Sequence, residues 1–338
     1  MRTDLHDEET DHLAAISTRM NAGFQAWPWP HRDRMRGLVE RQLARRGKRL
    51  RPRFALLCAR LLGAAPDKAE PVAAAVELYH CASLVLDDVQ DNSSFRGDTP
   101  AVHVTENVSN AINLGCIVRS FSHYPIDCAD LTLSEKDRLR RHLDVMETLV
   151  PLGQSMDIGW NQGWYDFRSF PHWEMMRLKT GAPFACVAAG AAVVSGADER
   201  TENEIERLGY EVGVLYQLVD DYHDMFTTDL GTVPDDLAGG KFTRPIAILI
   251  DLLRADGLEG TAERVARDLQ NPPAAQDLLW VRDLMAERSV ATALSSEIER
   301  SAEEIERLIS QLALGGDAAA GRMVEFVHRL VRMTQGPS

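Results

Sequence analysis

From residue 33 to the end of the chain, apolar residues recur at intervals of three and four, and alternating β-branched segments of useful length are missing. That period belongs to amphipathic α-helices, whereas half-buried strands alternate at two. It predicts helices over about 33–46, 51–63, 68–91, 104–122, 134–162, 172–194, 200–227, 242–254, 258–269, 275–288, 290–313 and 317–334. Breaks fall at Gly63-Ala64-Ala65-Pro66, 92–100, Ser195-Gly196-Ala197-Asp198, 228–240 and Gly315-Gly316. An all-α fold is the expectation. Residues 1–30 read as a polar N-terminal arm closed by Trp27-Pro28-Trp29-Pro30, a poor helix interior because each proline removes a donor. No linker or repeat divides the remainder, so residues 31–338 are read as a single large helical domain.

Composition narrows the possible partners. A hydrophobic content of 45% supplies a sizeable core, while a net charge of -14 without a basic stripe argues against nucleic-acid binding. Cys58, Cys81, Cys116, Cys128 and Cys186 form no CxxC pair, a pattern of reduced core thiols that fits a cytoplasmic protein. The start, MRTDLHDEETDHL, has neither the basic beginning nor the apolar stretch of a signal peptide, and no run of 18 apolar residues predicts a membrane span.

Two acidic blocks carry the chemistry. Asp87-Asp88-Val89-Gln90-Asp91 and Asp220-Asp221-Tyr222-His223-Asp224 repeat the pattern DDxxD about 130 residues apart, behind the apolar turns Leu84-Val85-Leu86 and Leu218-Val219. On a helix, residues i and i+4 share a face about one 5.4 Å turn apart. Hard oxygen ligands at that spacing suit magnesium, which keeps several waters and shares substrate phosphates. A single such block is most simply a solvated helix face. Two of them, each at the rim of a core where like charges are costly, point to metal and a diphosphate substrate. Cations to meet that substrate stand at Gly47-Lys48-Arg49-Leu50-Arg51-Pro52, at Lys179-Thr180 and at Lys241-Phe242-Thr243. His80 lies two helical turns before Asp87, and Gln154 and Asp157 place polar groups on an otherwise apolar turn.

GKRLRP, HCASLVLDDVQD, GQSMD, LKTG, YQLVDDYHD and GGKFTRP, in this order and spacing, resemble the trans-type isoprenyl diphosphate synthases, the polyprenyl synthetase family, over nearly the whole chain from about residue 35. DNSSFRGDTPAVH and DIGWNQGWYDF look closest to geranylgeranyl diphosphate synthases of the eukaryotic kind. The resemblance implies a single large antiparallel helix bundle of the isoprenoid synthase type around a deep apolar cavity, usually a homodimer. It implies magnesium, three ions per site, held by Asp87, Asp91 and Asp220, with Asp88, Asp221 and Asp224 as outer partners. Arg96 and Lys179 then grip the allylic diphosphate, Lys48, Arg51 and His80 hold isopentenyl diphosphate, and Thr180, Gln217 and Lys241 stand near the allylic cation. Side chains four and five residues before the first aspartate form the floor under the growing tail. Here they are Ser83 and Ala82, small enough to leave the shaft open, and Tyr79 one turn further on is read as closing it near twenty carbons.

Two positions depart from the family pattern. Where the family reads R-R-G-x-P, this chain has Arg96-Gly97-Asp98-Thr99-Pro100, without the second arginine, and a lysine expected after the second block falls on Gly231. Each lost charge-assisted contact weakens binding by about 1.5–3 kcal/mol; Arg244 is a candidate to compensate for the second. Three readings remain open. One is a prenyltransferase joining an allylic diphosphate to isopentenyl diphosphate, with geranylgeranyl diphosphate as product. Another is a class I terpene cyclase that ionises a preformed prenyl diphosphate, its cation cradled by Phe121, Tyr124, Trp160 or Trp164. The last is a subunit of a heteromeric synthase, which has no use for six retained aspartates.

Overall fold

The computed structural model describes residues 2–29, 34–45, 47–227 and 232–335. Its helices are α1 (Arg2–Ala26), α2 (Arg34–Ala44), α3 (Leu50–Leu61), α4 (Glu70–Gln90), α5 (Val102–Thr105), α6 (Val108–Ser120), α7 (Tyr124–Asp127), α8 (Leu133–Asn161) and α9 (His172–Met176). They continue as α10 (Ala182–Ser195), α11 (Glu199–Phe226), α12 (Asp235–Ala238), α13 (Arg244–Ala255), α14 (Glu259–Gln270), α15 (Leu279–Glu287), α16 (Val290–Leu312) and α17 (Asp317–Arg332). Among the described residues the only strands are β1 (Phe95–Arg96) and β2 (Thr99–Pro100), an antiparallel pair with Phe95 opposite Pro100. The expected all-α fold is what the chain adopts.

Local chemistry explains two of the helix starts. Thr132 and Glu135 form a capping box at the start of α8: the Glu135 carboxylate accepts from the Thr132 N–H at 2.8 Å, and Thr132 Oγ1 accepts from the Glu135 N–H at 3.2 Å. Asn107 accepts from the Asn110 N–H at 2.8 Å, which starts a new helix inside the predicted 104–122 segment and divides it into α5 and α6. The predicted 172–194 helix is likewise interrupted, by a π-helical turn over Arg177–Gly181.

The segment expected to be a polar arm is instead the 25-residue helix α1. Ile16, Met20 and Phe24, spaced four apart, are buried at 1%, 1% and 5% exposure, and Phe24 stacks on Phe121 with ring centroids 4.2 Å apart. Ion pairs fix the same helix outside that stripe. Glu70, buried at the start of α4, receives His12 Nδ1 at 2.9 Å and Arg19 Nε at 3.0 Å, while Glu9 pairs with Arg53.

Two compact units divide the chain: one takes Met1–Glu147, Cys186–Glu206 and Leu314–Ala319, the other Thr148–Ala185, Arg207–Ala313 and Ala320–Ser338. In the first, α4 packs against α1, α3 and α6, and Val72 through Val76 are fully buried. In the second, α13 packs against α14, α15 and α16, with Ile246, Leu249 and Leu253 inside. His172–Ser195 is long and apolar enough to cross a membrane by length and composition; 83% of its most apolar window is buried, as in a core helix. All five cysteines are free, Cys58, Cys81 and Cys186 buried and Cys116 and Cys128 exposed.

Candidate active site

Both aspartate blocks end helices. Asp87 and Asp88 lie in the last turn of α4, Asp91 is its C-cap, and Asp220, Asp221 and Asp224 occupy the last two turns of α11. A helix C-terminus carries partial negative charge, so carboxylates there raise an already unfavourable potential that a cation relieves. No basic residue stands in the last turn of α4, and only His223 in that of α11. The donor set therefore fits a hard divalent ion. Among the described residues no three such groups are gathered into a cage.

In the first unit, Asp88 is 3% exposed and accepts from Arg96 Nε at 2.9 Å, with a second, shorter contact from the other end of the guanidinium. Asp87 is half-buried and Asp91 exposed. Arg96 is thereby anchored on β1, next to Gly97, whose φ of +57° opens the tight β1–β2 turn. A glycine adopts that conformation without strain. Arg96 also acts on His80: burial, then the charges of Arg51, Arg96 and Arg49, hold the imidazole well below its usual range and so neutral. The charges of the basic cluster before α3 and of the hairpin arginine are thus both felt at the α4 histidine. Sequence reasoning places Arg96 on the allylic diphosphate; its electrostatic reach is also to the His80 side.

The second unit carries a hydrogen-bond chain. Thr180 Oγ1 donates to Gln217 Oε1 at 2.7 Å, Gln217 Nε2 donates to Asp221 Oδ1 at 2.8 Å, and the Arg244 N–H donates to Asp221 Oδ2 at 2.8 Å. Asp221 is 4% exposed, and burial pushes its carboxyl up to about 7 despite those donors. Each Asp221 oxygen thus accepts one N–H inside the protein and keeps a further lone pair. Burial, then Asp236 and Asp220, raise Asp224 to about 6. Lys179 pairs with Asp157 at 2.6 Å and Lys241 with Asp236 at 3.1 Å. Asp236 is the residue that sequence reasoning missed; its signal was its place five residues before Lys241.

The π turn positions Lys179 and Thr180. Gly153 of α8 packs so closely that a Cβ there would stand 2.5 Å from the Lys179 nitrogen, so this crossing requires a glycine. A π turn inserts one residue into a helix and re-aims the side chains beyond it, a device common at functional sites.

Two expectations are corrected. Arg244 does not compensate for the lysine missing at Gly231, because its guanidinium pairs with both oxygens of Glu297, meets His172 Nε2 at 2.9 Å and lies 4.7 Å over the Trp173 ring. Gly231 itself lies outside the described residues. The aromatic cradle is also engaged elsewhere. Phe121 packs on Phe24 and Trp27, Tyr124 stands against Gly23, Trp160 is buried beside Phe170 and Phe242 with its Nε1 donating to Gly240 O, and Trp164 is 68% exposed. On α4, Ala82 is 1% and Tyr79 4% exposed, and Arg119 lies 5.6 Å over the Tyr79 ring.

Helix-terminal aspartate pairs, paired lysines and an all-helical frame define a protein of the isoprenoid synthase class. The polyprenyl synthetase pattern matches residues 32–276, and the chain belongs to that family. A geranylfarnesyl diphosphate synthase of Aeropyrum pernix is 30% identical over 253 residues, covering 72% of this chain and 77% of that one. A geranylgeranyl diphosphate synthase of Methanosarcina mazei is 31% identical over 203 residues, with 58% and 61% covered. The crystal structure of a geranylgeranyl pyrophosphate synthase matches with a TM-score of 0.84 at 22% identity over 97% of this chain and 98% of the other, which shows the shared fold.

Proposed function

We propose that this chain is a magnesium-dependent prenyltransferase that condenses an allylic prenyl diphosphate with isopentenyl diphosphate, and that its product is geranylgeranyl diphosphate. What supports this reading is a second basic group apart from the aspartate blocks, Lys48 and Arg51 at the start of α3, with burial and the nearby arginine charges keeping His80 of α4 neutral. A cyclase needs one anion site; a second, basic one implies a second diphosphate. The engagement of Phe121, Tyr124 and Trp160 in packing also weighs against a cyclase.

Asp87, Asp91 and Asp220 are the proposed magnesium ligands, with Asp221 and Asp224 as outer partners. Ions held by these carboxylates would supply the positive charge that a departing diphosphate needs. Asp88 holds Arg96. Lys179 binds the same diphosphate once Asp157 shares it, and Thr180 and Gln217 present oriented dipoles to the developing cation. Ala82 and the other buried apolar side chains exclude water that would quench that cation. Lys48, Arg51 and His80 hold isopentenyl diphosphate, whose double bond attacks the cation; loss of a proton to the released diphosphate completes the step. Residues 31–338 acting as one catalytic domain, a homodimer, three magnesium ions and a cytoplasmic setting complete the proposal, on the family resemblance and the free thiols.

The test is product analysis. With magnesium, farnesyl diphosphate and labelled isopentenyl diphosphate, label is expected in a twenty-carbon diphosphate. Hydrocarbon formed from geranylgeranyl diphosphate alone would overturn elongation in favour of cyclisation, and turnover that appears only with a second protein would favour the subunit reading.

A further inference from the structure

We infer that the buried ion pair between Arg49 and Glu77 is a positioning device for isopentenyl diphosphate: it locks the turn that carries Lys48 and Arg51. The inference rests on the proposal that these two residues bind that substrate. Arg49 has φ +50° and ψ +38°, the left-handed region, and is one of three non-glycine residues with positive φ among those described. Arginine visits that region rarely, and where it persists the surroundings must hold it. Here they do. The Arg49 side chain is 16% exposed and donates to Glu77 Oε1 at 2.8 Å, Glu77 being 7% exposed in its side chain, and to Arg45 O at 3.4 Å and Met20 Sδ at 3.6 Å. Its own carbonyl accepts the Arg53 N–H at 3.1 Å, which begins α3.

A buried ion pair adds little net stability, because desolvation offsets most of the attraction, so its use lies in fixing geometry. The geometry fixed is specific. Lys48 and Arg51 flank the left-handed residue, and Glu77 sits one turn before His80 on α4. The pair therefore ties the basic turn to the helix that carries the histidine, and sets their separation for a diphosphate. Met20 brings α1 into the same contact.

The test is the KM for isopentenyl diphosphate, compared with that for the allylic substrate, in Glu77→Gln, Arg49→Gly and Arg49→Lys, with Lys48→Ala as reference. Glu77→Gln is expected to raise the isopentenyl diphosphate KM about tenfold or more, as is Lys48→Ala, and to move the allylic KM less than about twofold. Arg49→Gly keeps the backbone conformation without the anchor and should show the same split even if Glu77→Gln does not fold. Arg49→Lys, which retains a cation for Glu77, should recover most of the affinity. Equal rises in both KM values, or an unchanged isopentenyl diphosphate KM in a folded variant that lacks the pair, would overturn the inference. If Lys48→Ala itself leaves that KM unchanged, the substrate assignment falls and the inference with it; if only Lys48→Ala raises it, the inference alone falls.

Discussion

Asp221 accepts one hydrogen bond on each carboxylate oxygen, both at 2.8 Å and both from donors inside the second unit. Asp220, its neighbour, is half-buried and adds to the charge felt by Asp221 and Asp224. Adjacent identical residues thus differ in their surroundings: Asp221 orients Gln217 and through it Thr180, and the prediction is that the demand for metal rests on Asp220. Replacing each by asparagine separates the tasks. Asp220→Asn should raise the magnesium concentration for half-maximal rate by an order of magnitude or more. Asp221→Asn leaves one N–H donor facing an amide NH2 and should lower kcat roughly a hundredfold, about 2.7 kcal/mol, while the magnesium concentration for half-maximal rate stays within about twofold. A titration of rate against magnesium for both variants checks this, and equal shifts in magnesium demand would place Asp221 in the ligand set beside Asp220. The aspartates themselves were legible as a pair of DDxxD blocks. Their division of labour was not, because it depends on partners 4 and 23 residues away that only the fold brings near.

Element by element, the helical period located nearly every long helix, since burial of one face is what both period and packing express. It failed where the signal was read through composition. In α1 the charged residues hid the buried Ile16, Met20 and Phe24, although their spacing of four was visible. The π turn over Arg177–Gly181 was not legible, because it answers the close approach of Gly153 from another helix. On α4 the prediction concerns chain length. Ala82 and Tyr79 are both buried on this helix, about one turn apart. Ala82→Phe fills the space nearer Asp87 and should shift the product to fifteen carbons; Tyr79→Ala should add products of twenty-five. Chromatography of dephosphorylated products reads both. An unchanged distribution in Ala82→Phe would remove this face of α4 from the tail's path.

Across the whole molecule, charge and pH act through a few buried groups. The chain carries -14, and its second block gathers Asp220, Asp221, Asp224 and Asp236. Burial raises Asp221 to about 7 and Asp224 to about 6 from an ordinary 3.8, so the folded state binds more protons than the unfolded one above pH 4. Their stabilising contribution is full below that pH and is lost as pH rises through 6 and 7. His172 has the opposite sign. Burial, then Arg244, lowers it to about 4 from 6.5, so its contribution is present above 6.5 and is lost as pH falls toward 4. Above pH 7 only the carboxylate loss remains, in the range where the ionised block attracts a divalent cation. Ligand binding to the folded state alone raises apparent stability. Magnesium should therefore raise the melting temperature more at pH 8 than at pH 5.5, where it competes with protons, and Asp220→Asn should remove most of the difference. Melting curves with magnesium and with a chelator at both pH values decide the matter: equal shifts at the two, or a full shift in Asp220→Asn, would mean that the ion binds elsewhere on this acidic chain.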